Sequence, residues 1–264
     1  MLPIPARRPQ AERRSDENTS SMRPFTPPPL SASASPAGAP RRVRAMAWAR
    51  PAAAIAVVVL ALASSLGQAW DQDRMAQAAQ RVGPRAVASV RALQPLLASA
   101  AATDERTLLA SVNDFFNRRV VFTDDLAAWG SDDYWASPLE TLERGQGDCE
   151  DYAIAKYFSL MAAGVPVAKL RLVYVRATIG GPGGAVQAHM VLAYYAQPGA
   201  EPLILDNLVG EVRAASRRPD LTPVFSFNSE GLWQGAAGAA AGDPTVRLSR
   251  WREVLAKARA EGFQ

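Results

Sequence analysis

One cysteine and one histidine occur in 264 residues, Cys149 and His189. The cysteine lies in the run Gly147-Asp148-Cys149-Glu150-Asp151-Tyr152-Ala153, and no other stretch restricts the fold so strongly. It reads as the start of a helix. Asp148 is placed to cap it, and Glu150 and Asp151 put negative charge in the first turn, where it suits the helix dipole. Ile154, Phe158 and Met161 follow at i, i+4 and i+7 as one apolar stripe, and Gly164 and Pro166 stop the helix. Cys149 then sits at a helix N-terminus, where free backbone N–H groups favour a thiolate. The plain alternative for a lone cysteine is a buried structural thiol.

A thiol nucleophile needs a base, and the base needs a group to hold its ring. His189 sits in Gln187–Tyr195, a segment rich in β-formers, and Pro202–Leu208 reads the same way. Pro198-Gly199 between them is a turn signal. An antiparallel hairpin turning there brings His189 within a residue or two of facing Asp206. Opposed side chains on paired strands lie ~5 Å apart at Cβ, within reach of an imidazole–carboxylate hydrogen bond. Taken singly, His189 reads as a core histidine and Asp206 as a strand-end turn former. Together with Cys149 they suggest a nucleophile, a base and an orienting acid.

These motifs, with Ala188-His189-Met190-Val191-Leu192 and Leu205-Asp206-Asn207-Leu208, resemble the bacterial transglutaminase-like cysteine proteinases, and within them the LapG type. The resemblance spans roughly residues 105 to 228, and Gly-Asp-Cys-Glu-Asp-Tyr is its most specific part. It implies a papain-like fold, a periplasmic location, and Cys149, His189 and Asp206 as nucleophile, base and acid. It implies a substrate, the N-terminal region of a giant surface adhesin cut between two alanines. It also implies an inner-membrane cyclic-di-GMP receptor of the LapD type as inhibitor, and calcium held by the acids flanking the cysteine, Asp148 and Glu150.

The residues give their own reason to look for a cation. Asp148, Glu150 and Asp151 surround a thiol that must ionise, and like-charge repulsion raises its pKa. Calcium takes six to eight oxygens, which carboxylates and backbone carbonyls supply. Asp132 and Asp133 add ligands if their loop folds back. The alternative is capping by Asp148 and Asp151 with no metal. The oxyanion of an acyl transfer is assigned to the Cys149 backbone N–H and a second donor, left open between Gln146 and Trp135.

Along the chain, residues 1–45 are dense in Pro, Ser, Ala and Arg without apolar periodicity, and read as a disordered leader or a misassigned start. Residues 46–69 read as a signal peptide. Arg50 precedes the uncharged apolar run 52–66, and Gly67-Gln68-Ala69 offers small residues for cleavage. The run is shorter than the ~20 residues of a spanning helix, although an uncleaved membrane anchor stays open. The first 50 residues hold nine Arg and three acids, leaving 20 basic and 22 acidic residues for the rest. The basic surplus thus belongs to the leader, which argues against a nucleic-acid partner. One thiol excludes an internal disulfide, and one Cys with one His make no ordinary zinc site.

Residues 70–264 are expected to form the protease domain that the resemblance implies. Helices are expected over 73–101, with breaks near Gly83-Pro84 and Pro95, over 104–119, over Pro138–Arg144 and over 244–260, the last with Val246, Leu248, Trp251, Val254 and Leu255. Strands are expected over Lys169–Thr178 and 222–228. The linker Ile179–Gly184 reads as a mobile lip over the site, and Gly235–Gly242 as a linker of low information. The order gives an α+β fold with helices packed on an antiparallel sheet and the nucleophile at a helix N-terminus. Two other functions fit the same residues, an acyl-transferring transglutaminase and a catalytically dead binding module.

Overall fold

The computed structural model describes residues 70–263, so the expected leader and signal peptide lie outside the described residues. Helices α1 (Gln72–Val82), α2 (Pro84–Ala98) and α3 (Glu105–Arg119) open the domain. Each start has a local cause. Asp71 accepts the Arg74 amide at 2.9 Å, Pro84 occupies a first-turn position that needs no N–H, and Asp104 accepts the Thr107 amide at 3.0 Å. Arg118 and Arg119 close α3 where cations suit the dipole. Pro95 sits inside α2 without ending it, against the expected break.

A two-residue strand β1 (Val121–Phe122), helix α4 (Asp125–Trp129) and helix α5 (Pro138–Arg144) follow. Ser137 and Glu140 make a reciprocal capping box on α5, and Gly145 ends it with φ +63°. Strand β2 (Gln146–Gly147) pairs parallel with β1 and leads into α6 (Cys149–Ala162). An apolar stripe was the expectation for α6. Instead every residue from Asp151 to Leu160 is buried, because α6 runs through the middle, between α3, α5 and the sheet.

The sheet comprises β3 (Leu170–Ile179), β4 (Ala185–Tyr194), β5 (Leu203–Leu205), β6 (Arg213–Ala214), β7 (Leu221–Phe227), β8 (Leu232–Gln234) and β9 (Ala240–Gly242). Its order is β6-β5-β4-β3-β7-β8-β9, with every neighbour antiparallel. One face sends Leu172, Met190, Leu192, Leu205 and Phe227 into the helical core. The other carries Val173, Val175, Val191, Ala193 and Ile204 as a smaller cluster.

Three sequence expectations change here. The 235–242 stretch supplies the turn and second strand of the β8–β9 hairpin rather than a linker. The C-terminal helical region splits into α7 (Pro244–Arg247) and α8 (Ser249–Ala260), and Val246 is 75% exposed instead of packed. The Gly180–Gly184 turn borders a separate hollow with Pro219 and Asp220, away from Cys149, so it is no lip over the site. Trp70 is buried and bridges to Phe263, while the Asp71 amide bonds the Gly262 carbonyl at 3.0 Å, which joins the two ends of the described chain. Among the described residues no helix is long and apolar enough to cross a membrane.

Candidate active site

The parallel β1–β2 pair delivers the N-terminus of α6 to a cavity of about 410 Å³. Gly147 is required there by close approach. A Cβ at this position would collide with the Cβ and carboxylate of Asp151. Asp151 turns back to accept the Ala136 amide at 2.8 Å and the Trp129 indole N–H at 3.1 Å. It thus ties the 130–136 loop to the first turn of α6. Each oxygen accepts one hydrogen bond, and neither caps the helix. Asp148 holds the N-cap position, yet its side chain makes no cap bond, against the sequence expectation.

Cys149 and His189 line the same cavity. The Cys149 thiol donates to Oε2 of Glu150 at 3.0 Å rather than to the imidazole. Burial, then the charge of and hydrogen bond to Glu150, push this thiol well above its ordinary range, and the Met190 amide facing the sulfur works the other way. His189 Nε2 lies 2.8 Å from Oδ1 of Asp206, with the ring only 2% exposed. Register explains the pair. Leu205 faces Leu192, so Asp206 comes next to Val191 and diagonal to His189, on the sheet face away from the helices. With Nε2 taken by Asp206, Nδ1 is the nitrogen that remains, and among the described residues nothing hydrogen-bonds it.

Asp206 is itself over-determined. Its Oδ1 accepts the Leu208 amide at 3.1 Å, and its backbone carbonyl accepts Asn117 Nδ2 at 2.8 Å. The Arg218 guanidinium lies 2.7 Å from Oδ2, a close ion pair without hydrogen-bond alignment. Asp220 grips that guanidinium in turn, at 2.7 Å from Nη2. Burial opposes ionisation of Asp206, but His189, the Leu208 amide and Arg218 together outweigh it and hold the carboxyl down to about 2. Lys156, two helical turns below Cys149, is fully buried with its ammonium unpartnered. Sequence reading found neither cation. Arg218 comes from a loop with no pattern, and Lys156 is marked only by being a charge on an apolar helix.

The cavity wall is acidic. Asp124, Asp125, Asp132, Asp133, Asp148 and Glu150 all line it. Asp125, which sequence reading left unassigned, lies with Asp148 and Asp151 in a group whose carboxylate oxygens are all within 4.8 Å of one another. Burial, then the Glu150 charge, push Asp148 up to about 8; burial, then the Asp148 charge, push Asp125 up to about 6. Glu150 is also raised, by burial first. Oδ1 of Asp148 and Oδ1 of Asp125 are buried without a donor. Crowded carboxylates with undonated buried oxygens are what a hard cation such as calcium needs, so the residues present fit one.

The remaining sequence candidates divide. Asp132 and Asp133 are both at the wall, and Asp133, at φ +55°, also accepts from the Trp135 indole at 3.0 Å and from Arg250 at 2.6 Å. The Trp135 indole N–H is thereby occupied, although the ring lines the cavity and stacks on Phe227. Gln146 is exposed on the β1–β2 ladder and does not line the cavity, so the structure does not bring it to the thiol.

The family model described as bacterial transglutaminase-like cysteine proteinase matches residues 90–220. Legionella pneumophila LapG is similar at 38% identity and TM-score 0.60, over 71% of this chain and 97% of the other. Its EGTA-treated form gives 39% and 0.62 over 71% and 97%, and its calcium-bound form 38% and 0.61 over 71% and 98%. No curated protein sequence matches.

Proposed function

This chain belongs to the bacterial transglutaminase-like cysteine proteinase family and is a cysteine protease, and from that premise we propose a calcium-dependent endopeptidase of the periplasm. Its substrate is the N-terminal region of a large surface adhesin, cut at a pair of alanines, so that cleavage releases the adhesin and disperses a biofilm. An inner-membrane cyclic-di-GMP receptor of the LapD type is its inhibitor. The adhesin and the receptor rest on the family resemblance; the calcium rests on the cavity.

Three side chains carry the chemistry. His189, held at Nε2 by Asp206, presents Nδ1 as the base that takes the Cys149 proton. The thiolate attacks the peptide carbonyl, the imidazolium protonates the leaving amine, and water then releases the acyl group. The Cys149 backbone N–H, at the start of α6, stabilises the oxyanion. Asp148 and Glu150 would hold calcium, with Asp125 and Asp132 on the same wall. Bound there, the cation offsets the negative charge that keeps the thiol protonated.

The observation that carries the reading is the thiol proton held by Glu150 amid undonated carboxylate oxygens. Cleavage of an adhesin fragment in EGTA tests it. Activity should vanish, return with calcium but not with magnesium, and fall severely in both Asp148→Ala and Glu150→Ala. Full activity in the chelator would remove the metal and leave the triad alone.

A further inference from the structure

The edge of β4 beside His189 lacks a partner, and its backbone direction can be read from the register. The Tyr195 amide bonds the Lys169 carbonyl at 2.8 Å, so odd residues of this strand point their main-chain groups toward β3. Even residues therefore point the other way. Leu192 and Tyr194 meet Leu205 and Leu203 of β5 there, but β5 ends at Leu205. The next even residue, Met190, has no β5 partner and lines the cavity together with Cys149. Beyond it, Ala188 and Val186 face no strand, and both are exposed, Val186 at 63%.

This edge is also unguarded. Sheet edges are usually blunted by charge, proline or a bulge. Ala185-Val186-Gln187-Ala188 carries none of these, whereas β6, the outermost strand on that side of the sheet, carries Arg213. Ala188 lines the cavity that holds the thiol, so the free edge runs continuously into the site. From Val186 to Met190 it offers ~14 Å at ~3.4 Å per residue, room for about four residues of an extended chain.

We propose that the substrate polypeptide docks as an added strand on this edge, its main chain pairing with Ala188 and Val186 on one side of the scissile bond. The inference rests on the endopeptidase reading and deepens it. The chain taken is an extended, locally unfolded segment recognised through its backbone, so flanking sequence matters little on that side. A folded helix has its amides bonded within itself beyond the first turn and is refused.

The probe is an internally quenched twelve-residue peptide centred on Ala-Ala. Backbone esters placed one at a time along it, with wild-type enzyme and calcium, leave the protein untouched. On one side of the scissile bond kcat/KM should fall about tenfold at alternate positions, the intervening positions staying near the parent value. Proline at Ala188 or Val186 removes only the edge donor, because the β3-facing amides belong to the odd residues. Ala188→Pro and Val186→Pro should each lose at least tenfold in kcat/KM, with the Tm near wild type and the pH profile of Cys149 alkylation by iodoacetamide unchanged. Esters without a two-residue period, or full cleavage by both folded proline variants, would overturn the track while the protease reading stands. A wild-type enzyme that alkylates normally yet leaves the peptide intact would overturn the endopeptidase reading and the track with it.

Discussion

At the scale of single residues, the site is a set of charges that hold one another in place. Cys149→Ala and His189→Ala should abolish cleavage, a loss of ~10⁴-fold or more, with the circular dichroism spectrum unchanged. Asp206→Asn should cost less than Cys149→Ala, since it disturbs ring orientation and leaves the nucleophile present. Cleavage retained by Cys149→Ala would contradict the thiol as nucleophile. Lys156 makes a different prediction. Burial, opposed by Asp206 and Asp114, lowers its ammonium from 10.5 to about 7. Between those values the unfolded chain keeps a proton that the native state has shed, so stability rises with pH across that window. Below pH ~7 the native state carries the buried charge at full cost. Lys156→Met should therefore stabilise the domain at neutral pH by an amount on the order of a few kcal/mol, and the gain should shrink toward zero near pH 10. Urea unfolding of both proteins at several pH values measures it, and a pH-independent difference would refute it. The thiol, imidazole and acid were legible because each is unusual where it stands. Asp125 and Arg218 were not, because only tertiary folding brings their segments to the cavity and to Asp206.

At the scale of elements, the helix spans were readable, while the caps and the strand ends were not. The helices expected over 104–119 and Pro138–Arg144 form there, on an Asp104 cap and a Ser137–Glu140 box that the structure reveals. Strand β5 is shorter than its β-forming run, because Asp206 gives its carbonyl to Asn117 and its carboxylate to His189, and so leaves the ladder. The β8–β9 hairpin has few β-formers in its second strand, and pairing with β7 organises it instead. A long-range cap escaped notice altogether. Glu261, just past α8, accepts the Ser137 hydroxyl and, at 3.1 Å, the Leu139 amide, docking the C-terminal helix on the start of α5. Glu261→Ala leaves two buried donors unpaired and should cost about 2–3 kcal/mol in denaturant unfolding, with Glu261→Gln milder. Burial raises the Glu261 carboxyl from 4.5 to about 7, against its two donors. A raised acid contributes stability that is complete below 4.5 and lost as pH climbs to about 7, and Glu261→Gln should remove that slope.

At the scale of the whole molecule, charge decides how the domain meets a membrane. Residues 51–264 hold 29 − 9 = 20 basic and 25 − 3 = 22 acidic side chains, a net of −2. Trp70 and Phe263 close the described chain on itself, so a protein cut after Ala69 keeps its terminal contacts. Such a protein carries none of the nine arginines of the first 50 residues. Anionic lipid attracts a polybasic segment at about 1 kcal/mol per basic residue, within a Debye length of ~8 Å at physiological salt. A near-neutral domain with an acidic cleft gains nothing from that field. The protein beginning at Trp70 should therefore stay in the supernatant when spun with protein-free anionic vesicles, at physiological salt and at a tenfold dilution alike. Its recruitment should appear only when vesicles carry an inner-membrane receptor, and should be insensitive to the anionic lipid fraction. Sedimentation with bare vesicles would show that lipid alone holds the enzyme and would count against a protein partner.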